Sequence, residues 1–271
     1  MSEPLDTESL LQAVRANPRY ASINPDLIRT LIERQKGMTR QPREIVKAVR
    51  SKLHQVGGAY LDKPIDYAHW TNRLAQLPHD LQHPQVKDFC RQMMALHTST
   101  HERLPIMERF YAETLTTLQP LRSLLDLACG LNPLALPWLP ITAETRIWAC
   151  DIYSDQITFL QQFFDHFGIH GQASLCDLTS HIPQQPVQLA LLLKSIPCLE
   201  QLDKAIFNHV LDELRAEVLL VSFPAQSIGG RGKGMRQNYR QHFEELIRGR
   251  QVHFQTFDFP NELVFLLSPA T

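Results

Sequence analysis

Three aspartates carry the most chemistry in this sequence. Asp126 lies in the apolar run Leu124–Leu127, Asp151 ends a second run about 25 residues on, and Asp177 follows a third. Each run reads as a buried strand, so the three acids are expected at the carboxyl ends of neighbouring strands, where open α/β sheets bind ligands. Taken singly, each Asp could equally cap a helix or a turn, because its short carboxylate competes for backbone N–H groups. Taken together, they point to a ligand site.

The turn after the first run narrows the ligand. It reads Ala128-Cys129-Gly130-Leu131-Asn132-Pro133, with one glycine followed by a proline. A pyrophosphate needs several glycine N–H groups, as in GxGxxG, which this turn lacks. One glycine still admits close approach to the backbone. S-adenosylmethionine carries no phosphate, and its sulfonium is positive, so it suits a pocket flanked by carboxylates. Asp151 is placed to accept from ribose hydroxyls, and Asp177 to receive the adenine amino group.

A second loop stands out, Ser222–Met235, with Gly229, Gly230, Gly232 and Gly234 around Arg231 and Lys233. It is not a phosphate-binding Walker loop. Ser227 replaces the first glycine, and Gly234 follows Lys233 where Ser or Thr is required. Its two cations suit a nucleic-acid backbone, and a solvated connection would read the same way. Charge along the chain points in the same direction. Residues 1–120 carry 16 Lys and Arg against 13 Asp and Glu, whereas residues 121–271 carry 11 against 15. Between Arg29 and Lys52, eight cations (Arg40, Arg43, Lys47 and Arg50 among them) face only Glu33 and Glu44. Such a run attracts polyanions, or is a solvated helix face.

The elements that must hold these residues change character near Pro120. Before it, helices are expected: one capped by Asn24 with Pro25 at its first position and ended by Gly37, another from Gln41-Pro42 to Gly57, then Tyr67–Gln76, Pro84–Leu96 and Ser99–Leu118. After it, strands at Ser123–Leu127, Arg146–Ile152, Gln172–Cys176, Val187–Ile196, Val218–Phe223, Val252–Phe257 and Leu263–Leu267 alternate with helices at Asp155–Phe167, Leu202–Leu214 and Gln237–Ile247. The last two strands lack a helix between them, and their short connection allows an antiparallel hairpin. The expected fold is therefore α/β: a seven-stranded, Rossmann-like, mostly parallel sheet closed by an antiparallel hairpin, similar to class I S-adenosylmethionine-dependent methyltransferases, behind an N-terminal helical domain. The boundary is placed between residues 1–98 and 99–271.

With 44% hydrophobic and 20% charged residues, the chain has the composition of an ordinary globular protein. It shows no signal peptide and no apolar run long enough to span a bilayer, so a cytoplasmic location is expected. The five cysteines show no CxxC spacing and read as buried free thiols, and the scattered His residues form no zinc pattern, so no metal is expected.

These segments resemble the 16S ribosomal RNA guanine-N7 methyltransferases that confer aminoglycoside resistance, the Arm/Rmt group and its relatives in aminoglycoside producers. Four blocks carry the likeness: Leu96–Leu104 (LHTSTHERL), Leu125–Leu136 (LDLACGLNPLAL), Leu193–Glu200 (LKSIPCLE) and Val221–Met235, with Gly58-Ala59-Tyr60 as a weaker fifth. The resemblance implies methyl transfer from S-adenosylmethionine to N7 of guanine 1405 in helix 44 of 16S rRNA. The N-terminal domain would dock on the assembled 30S subunit. It implies that Arg103 pairs with the cofactor carboxylate, that His97, Thr98 and Ser99 line that end, and that Tyr60 forms an aromatic wall. Ala128 and Gly130 would lie against the cofactor, Asp151 would hold the ribose, Asp177 and Leu178 the adenine, and Leu193 would close the next strand end. Lys194 is expected to face the target, Asn132 to form the floor where guanine meets sulfonium, and Arg231, Lys233, Arg40, Arg43, Lys47 and Arg50 to hold RNA. A monomer is expected. Thr98 stands where the family has Ala, His101 where it has Lys or Arg, and Cys176 where it has Gln. The alternatives are methylation of another decoding-site nucleotide and a non-catalytic rRNA-binding protein.

Overall fold

The structure, a computed structural model, describes residues 6–61, 63–225 and 234–270. Its helices run α1 Thr7–Arg15, α2 Pro25–Lys36, α3 Pro42–Val56, α4 Tyr67–Leu74, α5 Pro84–Met94, α6 Thr98–Arg103 and α7 Met107–Thr114. The sheet part follows as β1 Ser123–Leu127, β2 Arg146–Asp151, α8 Ser154–His166, β3 Gly171–Leu175, β4 Val187–Leu193, α9 Ile196–Leu199, α10 Ile206–Glu213, β5 Ala216–Pro224, α11 Met235–Leu246, β6 Val252–Phe259 and β7 Glu262–Pro269.

The strands form one seven-stranded sheet in the order β3-β2-β1-β4-β5-β7-β6. Strands β1 to β5 pair in parallel, and β7 pairs antiparallel with both β5 and β6. Burial on both faces explains the unbroken apolar runs. In β4, Leu189, Leu191 and Leu193 pack with α4, α5, α7 and α8 on one face, while Ala190 and Leu192 pack with α9, α10 and α11 on the other. The order reverses direction beside β1, where β2 lies on one side and β4 on the other. A ligand crevice opens at the carboxyl ends there.

Helices α1–α3 own a separate apolar core, built on Leu10, Leu11, Val14, Leu27, Ile28, Leu31, Ile45, Val49 and Leu53. From the sheet part, Tyr153 is buried in that core, and Ile152 and Leu202 pack against it. The attachment is backbone-made: Ile23 bridges Tyr153, the Asn24 N–H donates to the Ile152 carbonyl at 2.7 Å, and the Ser154 N–H donates to the Ser22 carbonyl at 2.8 Å. Asn24 also caps α2 as expected, its side chain accepting from the Asp26 N–H at 2.9 Å. The seating brings Val56 and Gly57, at the end of α3, to the carboxyl edge of β2.

Several expected boundaries move, each for a local reason. Helix α1, capped by Asp6 through the Glu8 and Ser9 N–H groups, was not singled out by its sequence. The stretch Ser99–Leu118 is not one helix: Pro105 has no N–H to continue the ladder, and a 3-10 turn at Leu104–Ile106 separates α6 from α7. The fourth strand stops at Leu193 rather than Ile196, because Lys194 takes a left-handed φ of 57°. The helix expected from Leu202 begins only at Ile206.

Candidate active site

A cavity of about 690 Å3, counted with its open mouth, lies at the carboxyl ends of β1, β2, β3 and β4. Tyr60, His97, Ser99, Ala128, Gly130, Asp151, Asp177, Leu178, Leu193 and Lys194 line it, so ten of the residues singled out in the sequence meet in one place. Val56, Ile152, Leu199 and Leu202 complete an apolar wall.

Asp151 is held by the turn it faces. Its Oδ2 accepts from the Gly130 N–H at 2.8 Å, and its Oδ1 from the Ile152 N–H at 2.7 Å. Burial pushes its carboxyl up and these backbone donors work against that. Each oxygen keeps a lone pair with which to accept a hydroxyl. Ala128 and Gly130 reach this geometry with φ of 47° and 52°, in the left-handed region. The glycine is required for a second reason. A Cβ there would stand 2.9 Å from His97 Cε1, so the space left by the missing side chain is filled by imidazole. His97 in turn stacks on Tyr60, with ring centroids 5.6 Å apart and planes within 2°. Burial, then Arg103 and Lys194, lowers the His97 pKa to about 4, so the ring is neutral at pH 7.

Tyr60 is fixed at three points. Its hydroxyl donates to the Lys194 carbonyl at 3.0 Å and lies 3.0 Å from Cys198 Sγ, while its own carbonyl accepts from Thr98 Oγ1 at 3.1 Å. Thr98 thus positions the aromatic wall and is not itself among the lining residues. Asp177 is placed at the cavity and is also engaged in its own turn. It lines the cavity, and its Oδ1 caps the following turn through the Thr179 N–H and Oγ1 at 2.9 and 2.8 Å.

Beside the cavity sits a buried polar network. Glu262, fully buried, accepts from Arg103 Nε at 3.0 Å and Nη2 at 2.6 Å and from Ser222 Oγ at 2.5 Å, and lies 3.4 Å from Lys194 Nζ. Lys194 Nζ also pairs with Glu102 at 2.8 Å. Arg103 Nη1 donates to Asn132 Oδ1 at 2.8 Å, Tyr111 donates to the same oxygen at 2.7 Å, and Asn132 Nδ2 donates to Asp126 at 2.7 Å. Burial works against charge on Arg103 and Glu262 alike. Each offsets it for the other, so the Arg103 pKa stands above its ordinary value and that of Glu262 below. Burial pushes the Asp126 carboxyl up to about 7. Neither Arg103, Asn132 nor Asp126 is among the lining residues. Glu262, Glu102, Tyr111 and Ser222 were not singled out as site residues in the sequence; Glu102 lies inside the LHTSTHERL block and Ser222 inside Val221–Met235, whereas Glu262 and Tyr111 lie in no such block.

The RNA-holding residues divide. Arg40, Arg43 and Lys47 are exposed and have no ion-pair partner among the described residues. Arg50 is instead half-buried, donating to the Ala13 and Val14 carbonyls at the end of α1 at 2.6 and 3.3 Å. Arg29 and Lys36 are paired with acids on α1 and α2. Arg231 and Lys233 lie outside the described residues. Among the described residues, no His, Cys, Asp and Glu cluster could hold a metal, and no helix is long and apolar enough to cross a membrane.

This sheet order, with a glycine turn after β1 and acids after β2 and β3, defines a class I S-adenosylmethionine-dependent methyltransferase. The model of the ribosomal RNA methyltransferase (FmrO) family matches residues 16–266, and the chain belongs to that family. It is 34% identical over 258 residues to the 16S rRNA (guanine(1405)-N(7))-methyltransferase of Micromonospora echinospora, covering 94% of each chain. To the protein of that name from Serratia marcescens it is 30% identical, over 97% of this chain and 98% of the other. Among solved structures, 16S rRNA methyltransferase RmtF in complex with S-adenosyl-L-homocysteine superposes with a TM-score of 0.82 at 27% identity, over 99% of this chain and all of that one. The 16S rRNA methylase RmtB superposes with a TM-score of 0.80 at 25% identity, over 98% and 99%.

Proposed function

We propose that this chain methylates N7 of guanine 1405 in helix 44 of 16S rRNA, within the assembled 30S subunit, and so protects the ribosome from aminoglycosides. The observation that carries the reading is the cavity itself: an acid anchored by the turn after β1, a second acid after β3, and an apolar wall between them. That arrangement fits S-adenosylmethionine. Asp151 has lone pairs for ribose hydroxyls, Asp177, Leu178 and Leu193 surround the adenine, and Ala128 and Gly130 lie along the ligand. Arg103 uses three of its five N–H bonds on Glu262 and Asn132 and is buried behind the cavity wall; the family resemblance, rather than its position on that wall, assigns its remaining two to the cofactor carboxylate. When bound, the cofactor supplies an electrophilic methyl group on a sulfonium.

Guanine N7 has a free lone pair in the major groove, so no residue has to remove a proton. The chain's work is then orientation and charge placement. Lys194, at the end of β4 and on the cavity wall, is assigned to the target side. Asn132 is assigned a positioning part, since its amide is engaged by Arg103, Tyr111 and Asp126. Residues 1–98 are proposed to dock on the subunit and residues 99–271 to carry out transfer, with Arg40, Arg43, Lys47, Arg231 and Lys233 holding RNA phosphates. Because N7 is poorly reached in a folded helix, local distortion or flipping of the guanine is part of the proposal. The reading includes action in the cytoplasm, as a monomer, without metal.

The test is transfer of a tritiated methyl group to purified 30S subunits. Label in 16S rRNA is expected with the wild-type chain and a large loss with Asp151→Ala, which should also weaken binding of S-adenosylhomocysteine by calorimetry. Absence of label with the wild-type chain overturns the reading.

A further inference from the structure

Helix α3 carries two stripes. Ile45, Val49 and Leu53 face the core of the N-terminal helices, whereas Arg43, Val46, Lys47 and Arg50, at spacings of three and four, share another face. That second stripe, with Pro42 before it, forms one wall of an open groove. Ser9, Leu10 and Ala13 of α1 form the other. The groove shares no lining residue with the cofactor cavity. Its apolar strip is Leu10, Ala13, Pro42 and Val46, and every charged residue that lines it is a cation.

The three cations are held differently. Arg50 donates to the Ala13 and Val14 carbonyls at 2.6 and 3.3 Å, which ties α3 to the last turn of α1. Arg43 and Lys47 are exposed and have no ion-pair partner among the described residues. The acid nearest in the hydrogen-bond pattern, Asp6, accepts from Ser9 Oγ at 2.6 Å and is engaged in capping α1. The groove therefore offers an apolar strip inside a field of uncompensated positive charge.

We propose that this groove seats one unstacked nucleotide of 16S rRNA, its base on the apolar strip and its flanking phosphates on Arg43 and Lys47. A track of phosphates alone would cover the cations and leave the strip against water. A nucleotide extruded from a loop or bulge carries both parts, a base with an apolar face and a phosphate on either side. Unstacked bases are also what proteins read in folded RNA. An acidic protein segment would meet the same cations; membership of a ribosomal RNA methyltransferase family favours RNA. The groove then anchors the protein at a point apart from the cavity, so that docking selects a subunit folded to present an unpaired nucleotide there.

The inference rests on the reading of residues 1–98 as the docking part, and the experiment separates the two. Binding to purified 30S subunits is measured against salt for the wild type and for Ala13→Leu. Ala13 is exposed and leucine is a good helix former, so the change fills the groove without altering charge. Melting temperature and S-adenosylhomocysteine affinity should stay at wild-type values. Failure of the wild type to bind 30S would remove the docking reading itself. Given binding, Ala13→Leu should weaken it by roughly fivefold or more, the low end of what one base contact is worth, with an unchanged log–log salt slope. Ala13→Cys carrying a photoactivated azidophenacyl group, at saturating 30S, should crosslink to an unpaired nucleotide of 16S rRNA. Primer extension maps the site, against wild type treated identically. Wild-type affinity or a shifted salt slope in Ala13→Leu would overturn the inference. So would a crosslink to a ribosomal protein, to paired nucleotides only, or to nothing.

Discussion

Replacing Glu262 by Gln removes one charge from a site where solvent cannot compensate. The carboxylate is fully buried and balances two buried cations, Arg103 through a two-point contact and Lys194 at 3.4 Å. Afterwards Lys194 keeps Glu102, but Arg103 keeps only the neutral amide of Asn132 and a carboxyl at Asp126 that burial pushes up to about 7. Breaking a buried pair from one side costs about 3–5 kcal/mol, against the roughly 5–15 kcal/mol that holds a typical domain. Gln also turns an N–H group toward a guanidinium that needs an acceptor, which places the loss at the upper end. Urea unfolding followed by circular dichroism and tryptophan fluorescence measures it. At a slope of ~3 kcal/mol per molar, the midpoint should fall by about 1 M or more. A double-mutant cycle with Arg103→Met should show coupling above ~1.5 kcal/mol, because removing both charges leaves neither orphaned. A loss below ~1 kcal/mol, or additive effects, would refute the reasoning. The pH dependence has a definite sign. The Glu262 pKa is held below its ordinary 4.5, so its contribution is full above pH 4.5 and is lost as pH falls through the lower folded value.

Three further outcomes are expected. Gly130→Ala forces an L-residue into φ 52° and drives its Cβ against His97, so S-adenosylhomocysteine affinity should fall roughly tenfold, for ~1–2 kcal/mol of strain, in a calorimetric titration. Replacing Arg40, Arg43 and Lys47 by Glu should weaken 30S binding and flatten its log–log salt slope by about 2–3, while cofactor affinity stays unchanged; Arg50 is left alone because it caps α1. His97, with a folded pKa of about 4 against 6.5, makes the folded state resist protonation, so stability should be lost as pH falls from 6.5 to about 4, and His97→Gln should reduce that loss in pH-dependent melts. Asp126 acts oppositely, its folded pKa of about 7 favouring the folded state as pH falls from about 7 toward 3.8, so the comparison must be made against wild type at each pH.

Part of the cavity was legible because its residues sit where local rules place them. Asp151 and Asp177 end or follow apolar strand runs, and Gly130 turns the chain after the first. Such signals span a few residues and survive without knowledge of the fold. Tyr60 and His97 entered only through resemblance, since nothing local says that a tyrosine after α3 stacks on an imidazole 37 positions later. The Arg103–Glu262 pair is beyond periodicity altogether. The two lie 159 residues apart, and an acid at the start of β7 reads as an ordinary hairpin residue until the sheet brings β7 beside β5 and Ser222. Sequence reasoning also took Asn132-Pro133 as the cavity floor, whereas the Asn132 amide is turned into the buried network. Arg50 shows the same limit on the surface: its charge suggested RNA, and its guanidinium is spent on helix carbonyls.

The central claim concerns one atom of one nucleotide. Treating 30S subunits with the protein and S-adenosylmethionine, then cleaving the rRNA with borohydride and aniline and extending a primer through helix 44, reports N7-methylguanine by position. The account predicts a new stop at guanine 1405, absent without cofactor and lost with Asp151→Ala. Methylation at another nucleotide, or none in intact subunits, would contradict it.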